Sequence, residues 1–228
     1  MELKDFIVVF QEATGLLLDG LWVTLVVSLL AILFGLLVGL LTCFMGRSKN
    51  FILRGIAAVY VWCIRGTPMI VQAVLVFFAV PQLIQVWNPA FRIDPVTAGL
   101  ITLSLNAGAY MSEIFRGGIA AVPNGQIEAA RSLGLSQLRT MLKIVLPQAF
   151  KISIPSLVNQ FIITIKDSSI LSVIGMADLV SQARVYVGAT YKFFPTYIMV
   201  ALYYLIIISV LMVISKMLEK KLNYDKKN

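Results

Sequence analysis

The sequence predicts an all-α, polytopic membrane protein with five transmembrane helices and one large polar loop. Three observations predict it. The first is composition: of 228 residues, 59% are hydrophobic and 13% charged, with a mean hydropathy of +0.90. That leaves too little polar material to clothe a water-soluble domain of this size. The second is the spacing of charge. Residues 20–46, 66–91, 95–112 and 193–215 carry none, and 152–165 form a shorter gap. About 20 apolar residues cross a bilayer as a helix, so four gaps suffice or nearly so, and the fifth needs charged residues at its ends. The third is asymmetry. Thirteen Lys and Arg (47, 49, 54, 116, 131, 139, 143, 151, 216, 220, 221, 226, 227) fall on one side of such spans, and four (Lys4, Arg92, Arg184, Lys192) on the other. Cytoplasmic loops carry the excess, so the N-terminus is expected outside and the C-terminus in the cytoplasm.

The first span covers about Leu16 to Met45 and contains Gly35 and Gly39, a spacing that permits close helix approach within the subunit or at a dimer seam. The second runs from Ile56 to Ile64 and resumes from Met69 to Val80. Between them Gly66 and Pro68 weaken the helix, so a bend is expected there, and Pro81 and Pro89 close the span. The third begins at Pro95 and ends near Phe115, with Gly117 and Gly118 as breakers.

The polar loop, about 117–147, follows. Asn124 or Gly125 is expected to cap a short helix, and Gly134 to end it in the left-handed conformation. A second, amphipathic helix carries Leu135, Leu138, Met141, Leu142, Val145 and Leu146 at three- and four-residue spacing. It is expected to lie along a partner or the membrane surface without crossing. The fourth span, Gln148 to Ile165, contains Pro155, stops at Lys166–Ser169 and restarts at Ile170. The fifth is Phe194 to Ser215. The 228 residues read as a single domain without an internal repeat.

Several function classes fall away. The net charge of +8 sits beside apolar spans, where it reports topology and not a nucleic-acid footprint. The first 19 residues hold four acidic groups and only Lys4, unlike the basic start of a signal peptide. There is no histidine, which removes His-ligated metals and His-based triads. Cys43 and Cys63 lie in apolar sequence and read as small core residues without a disulfide. No phosphate-cradling Gly-x-x-x-x-Gly-Lys-Ser/Thr loop is present. No catalytic residue or metal site is expected.

Inside the polar loop, Glu128-Ala129-Ala130, three residues, Gly134, nine residues, Ile144, one residue and Leu146-Pro147 form one pattern. It resembles the cytoplasmic docking loop of permease subunits of ATP-binding-cassette importers. Arg65-Gly66-Thr67-Pro68 with Gln72, Ser112 to Ile119, and Lys166 to Ser169 with Val173 to Gly175 resemble the polar-amino-acid branch. Methionine permeases share the fold. The resemblance spans most of residues 20–215. It implies that Glu128, Ala129, Ala130, Gly134, Leu138 and Pro147 belong to the surface that docks on the ATPase. It implies as partners two ATPase subunits, which carry the ATP and Mg, a second permease subunit, and an extracytoplasmic substrate-binding protein. The substrate would be an amino acid, and the setting a bacterial cell membrane. The alternatives are an ATP-driven importer of another small solute such as methionine and an ion-driven secondary transporter, which would call for internal repeats.

Ionisable groups at membrane depth need a partner or a watery cavity, and broken helices are where transporters bind ligands. Glu113 on the third span and Asn159, Gln160, Asp167 and Ser168 on the fourth are therefore candidates for one substrate cavity. Asp167 or Glu113 would accept an ammonium, and Ser168, Asn159 or Gln160 would donate to a carboxylate. Glu113 has the competing role of a salt bridge to Arg116 or Arg65, and Asp167 that of a pair with Lys166 or a helix cap. Arg65, Gly66, Thr67 and Pro68 read as a structural hinge.

Overall fold

The computed structural model describes residues 3–224, and among them every regular element is helical. Glu2, Lys226 and Lys227, which enter the charge pattern, lie outside the described residues.

The first helix, α1 (Leu3–Gly46), has 44 residues. At 1.5 Å per residue it is roughly 66 Å long, twice a hydrocarbon core. Its first turns extend beyond the expected span because they have something to pack on. Val9, Ala13 and Leu17 are enclosed with Leu179, Ala183, Tyr186, Met199 and Val200. The Tyr186 hydroxyl donates to Glu12 at 2.6 Å, and Lys192 pairs with the same carboxylate at 3.6 Å. Lower down, Gly35 and Gly39 face α5 (Pro95–Ala120). A Cβ on Gly39 would lie 2.8 Å from that of Met111, so the small-residue stripe is a seam inside this chain.

The second span is broken. Helix α2 (Phe51–Gly66) meets α3 (Met69–Val74) at 110°. Thr67 before Pro68 is held extended, at φ −122° and ψ 146°. After α3 comes a π-helical segment, Leu75–Ala79, and then α4 (Val80–Ile84). Pro81 therefore does not close the span. A second π-helical segment, Met141–Val145, joins the short α7 (Gln137–Thr140) to α8 (Leu146–Asp167). Both π segments end two residues before a proline. The proline ring would clash with the carbonyl four residues back in a regular α-helix, and the wider turn relieves it. Pro147 is thus no boundary, and the amphipathic segment of the polar loop runs directly into the fourth apolar helix.

Further expectations are corrected. Helix α5 continues through Gly117 and Gly118 to Ala120, because Gly118 lies against Ala149 and Ser153 where α8 crosses. In α6 (Asn124–Ser132) the capping position is Pro123, and Asn124 and Gly125 are already helical. Cys63 is exposed on α2, whereas Cys43 is buried, and both are free thiols. At Asp167 the chain does not stop. It tightens into a 3₁₀ segment, Ser168–Ile174, that ends at a left-handed Gly175. Between Gly175 and Phe194, where the sequence suggested no element, lies α9 (Leu179–Thr190), capped by Asp178. Helix α10 (Phe193–Tyr224) completes the chain.

Among the described residues three helical stretches are long and apolar enough to cross a membrane: Lys4–Gly46, Gln137–Ile174 and Phe193–Lys221. The bent pair makes a fourth if it counts as one span. Helix α5 has the length but not the apolarity, and burial explains why. Thr102, Ser104, Asn106 and Ser112 are all enclosed. Their hydroxyls are spent on the helix's own carbonyls, Thr102 on Ala98 at 2.8 Å and Ser104 on Leu100 at 2.6 Å. It is the central helix, packed between α1 and α8 in the main core cluster.

A candidate permeation cavity and docking knob

A polar cavity of about 740 Å³ opens between α2, α5, α8 and α10. It is lined by Arg65, Tyr110, Glu113, Asn159, Gln160 and Lys216, among others. The bend at Gly66–Met69 brings Arg65 there. Gln72 braces that bend. Its amide nitrogen donates to the carbonyls of Ile64 at 2.7 Å and Thr67 at 3.0 Å, closing the end of α2, and its oxygen accepts from Asn106 of α5 at 3.0 Å.

Glu113 is claimed by two cations. Arg116 holds it with two bonds, of 2.6 and 3.0 Å, and Arg65 stands at 3.3 Å. The Arg65 guanidinium also lies over the Tyr110 ring, 5.3 Å from its centre. Both competing salt bridges considered for Glu113 therefore form at once. Asn159 and Gln160 line the cavity as expected.

Asp167 and Ser168 do not join them. Asp167 lies seven residues beyond Gln160, about 10 Å further along the helix, and is not among the lining residues. Ser168 is fully buried and donates to the Ile165 carbonyl at 2.7 Å. The expectation of one cavity shared by Glu113 and Asp167 is not met, because a turn and more of helix separates their levels. Tyr110 and Asn106 were missed by the sequence reading. The signal was present, since Asn106, Tyr110 and Glu113 recur at helical spacing along α5.

The polar loop is a second, separate feature. Gly134 is left-handed at φ +81°. Its N–H bonds to Arg131 at 3.0 Å, and that of Leu135 reaches back to Ala130 at 3.2 Å, the paired closure of a Schellman motif. The Arg131 guanidinium locks the same corner through the Leu135 carbonyl at 2.7 Å. Ser136 then caps α7. Ala130 is buried, while Glu128 and Ala129 are exposed. Leu133 is 83% and Leu138 68% exposed, so a stiff corner presents apolar side chains outward. Pro147 lies exposed at the start of α8.

Long apolar helices around a central polar helix, with a polar cavity among them, define a polytopic helical membrane protein. The chain belongs to the family of binding-protein-dependent transport system inner membrane components, whose model matches residues 31–224. It is 39% identical over 210 residues to the glutamine transport system permease protein GlnP of Escherichia coli K12, covering 92% of this chain and 94% of that one. A crystal structure of an amino acid ABC transporter with histidines matches with a TM-score of 0.88 at 37% identity, over 94% of this chain and 97% of that chain. An inward-facing MetNI methionine transporter, at 19% identity and a TM-score of 0.75 over 91% of this chain and 96% of that one, shares the fold.

Proposed function

We propose that the chain is the membrane-spanning subunit of an ATP-driven amino-acid importer, with glutamine as the first substrate to test. The observation that carries this reading is the stiff, outward corner at Gly134 on a helical bundle that separately holds a polar cavity. The likeness to a glutamine permease over 92% of the chain supports the substrate class. In this reading the chain holds five spans: α1, the bent α2–α4 pair, α5, the α7–α8 rod and α10. Helix α5 counts as a span because Thr102, Ser104, Asn106 and Ser112 are enclosed and hydrogen-bonded inside the bundle. An odd number of spans puts the termini on opposite sides, and the excess of Lys and Arg argues for the N-terminus outside a bacterial cell membrane and the Glu128–Pro147 loop in the cytoplasm.

Two copies, or two related subunits, form the pathway. Two ATPase subunits, which carry ATP and Mg, dock on Glu128, Ala129, Gly134 and Leu138. An extracytoplasmic binding protein delivers the substrate. Asn159 and Gln160 offer donors and acceptors to the amino acid, while Glu113, already paired with two guanidiniums, sets the charge of the wall. The chain itself makes and breaks no bonds.

Reconstituted with its ATPase and binding protein in liposomes, the chain is expected to support ATP-dependent glutamine uptake. It should do so without a sodium or proton gradient. Uptake that needs an ion gradient and not ATP would end the importer reading. Orientation has its own test, in a chain whose two native cysteines are replaced by alanine. A cysteine at Gln137 should react with an impermeant thiol reagent only after the membrane is opened, and one at Lys4 in intact cells. Both positions are exposed. The opposite pattern would invert the topology and remove the docking assignment with it.

A further inference from the structure

A second cavity, of about 290 Å³, lies between the end of α1, the middle of α2 from Arg54 to Trp62, and the second half of α5. It has a different character from the first. Arg47, Arg54 and Arg116 converge on it with Glu113 as the single carboxylate, so two positive charges are left over. Neither Arg47 nor Arg54 enters an ion pair among the described residues. Glu113 is no reserve for them, since Arg116 and Arg65 already hold it.

The rest of the wall is mostly apolar, with Cys43, Ala57 and Val61 beside the hydroxyls of Thr42 and Ser112, and the indole of Trp62 stands at its edge, 75% exposed. Exposed tryptophans on spanning helices mark headgroup depth. The corner is held in shape: Ser48 accepts from the Asn50 N–H at 3.1 Å and Asn50 from that of Ile52 at 2.9 Å, which fixes the four residues between α1 and α2.

We infer that this pocket binds the phosphate of an anionic phospholipid. Guanidinium forks match phosphate oxygens two bonds at a time. Unpaired cations at the edge of the hydrocarbon call for an anion, and basic pockets between membrane helices on the cytoplasmic side are suited to such headgroups. The volume, roughly that of nine or ten waters, takes a phosphate and its glycerol while leaving the acyl chains outside, on a surface where Phe44 and Phe51 are exposed. The inference rests on α1, α2 and α5 lying in a bilayer. It does not depend on the transported substrate or on the ATPase.

The test measures retention of phosphatidylglycerol and phosphatidylcholine on the purified full-length chain by native mass spectrometry. Phosphatidylglycerol should be held about tenfold more strongly, and R47Q/R54Q should erase that preference. K220Q/K221Q removes the same charge elsewhere and should keep it. R47K/R54K is measured in parallel, so that a folding defect is not mistaken for lost binding; it keeps the charge but not the forks and should hold phosphatidylglycerol between the native chain and the glutamine pair. If millimolar inorganic phosphate displaces the lipid, the anion site stands and belongs to the free ion. Equal retention of the two lipids, or a glutamine pair that behaves like the Lys220/Lys221 control, would overturn the inference.

Discussion

Gly134→Pro is expected to insert and fold normally yet leave the transporter uncoupled, with glutamine uptake and substrate-stimulated ATP hydrolysis both reduced at least about tenfold. The residue sits at φ +81°, and proline is confined near −65°. The substitution also deletes the N–H that bonds to Arg131 at 3.0 Å. Forcing the ring there costs about 3 kcal/mol or more, at least twice the ~1.4 kcal/mol that changes an equilibrium tenfold. That cost falls on the corner and not on the bundle. In α6 only Ala130 is buried, so the corner opens locally while α1, α5 and α8 stay packed. Gly134→Ala gives the graded comparison, since an L-residue at positive φ costs about 1–2 kcal/mol. Uptake and ATPase rates with and without loaded binding protein, alongside the melting temperature, decide the matter. Normal stimulation by loaded binding protein would mean that force reaches the pathway by another route.

That corner was legible in the sequence because its physics is local. A glycine after a short helical run is the residue that tolerates a left-handed cap. The spans were legible for a similar reason, since charges interrupt hydrophobic stretches wherever the bilayer ends.

What failed to be legible depends on context. Pro81 and Pro147 read as boundaries because a proline ring ends a regular helix. The π segments Leu75–Ala79 and Met141–Val145 absorb each ring, and tertiary packing pays for the wider turn. Cys63 read as core because a bilayer favours apolar groups on the lipid face as much as inside the bundle, so hydrophobicity cannot separate the two. Asp167 was placed with Glu113 by its neighbourhood to a helix break, but helical rise carries it past the cavity. Helix α9, by contrast, was readable. Asp178 as a cap, with Leu179, Ala183, Tyr186 and Val187 on one face, is a helix signal.

Glu113→Gln is expected to loosen the cavity wall and not merely to weaken ligand binding. The carboxylate receives two charge-assisted bonds from Arg116 and faces Arg65 across 3.3 Å. An amide keeps one acceptor, loses the charge and turns an N–H₂ toward a guanidinium. Charge-assisted bonds are worth about 1.5–3 kcal/mol when fully buried, and these are not. Glu113 is 28%, Arg65 42% and Arg116 61% exposed, so solvent screening pulls the expected loss to about 0.5–1 kcal/mol, a fall of a few degrees in melting temperature. Arg65→Gln alone should cost less, because Glu113 keeps Arg116. The double variant R65Q/E113Q should be more stable than the sum of the two losses predicts, since no guanidinium is then left facing an amide.

Transport separates the two roles of Glu113. If the carboxylate braces α2 against α5, the single variant lowers kcat for glutamine and arginine alike, and the double variant recovers part of it. If instead Glu113 accepts the substrate ammonium, KM rises about ten- to a hundredfold while the melting temperature holds, and removing Arg65 restores nothing. Three paired groups already surround the carboxylate — Arg116, Arg65 and, through Arg65, the Tyr110 ring — so the first pattern is the expected one. In that case Asn159 and Gln160, which line the same cavity, are the next residues to vary, and a raised KM without a lower melting temperature is the result expected of a ligand contact.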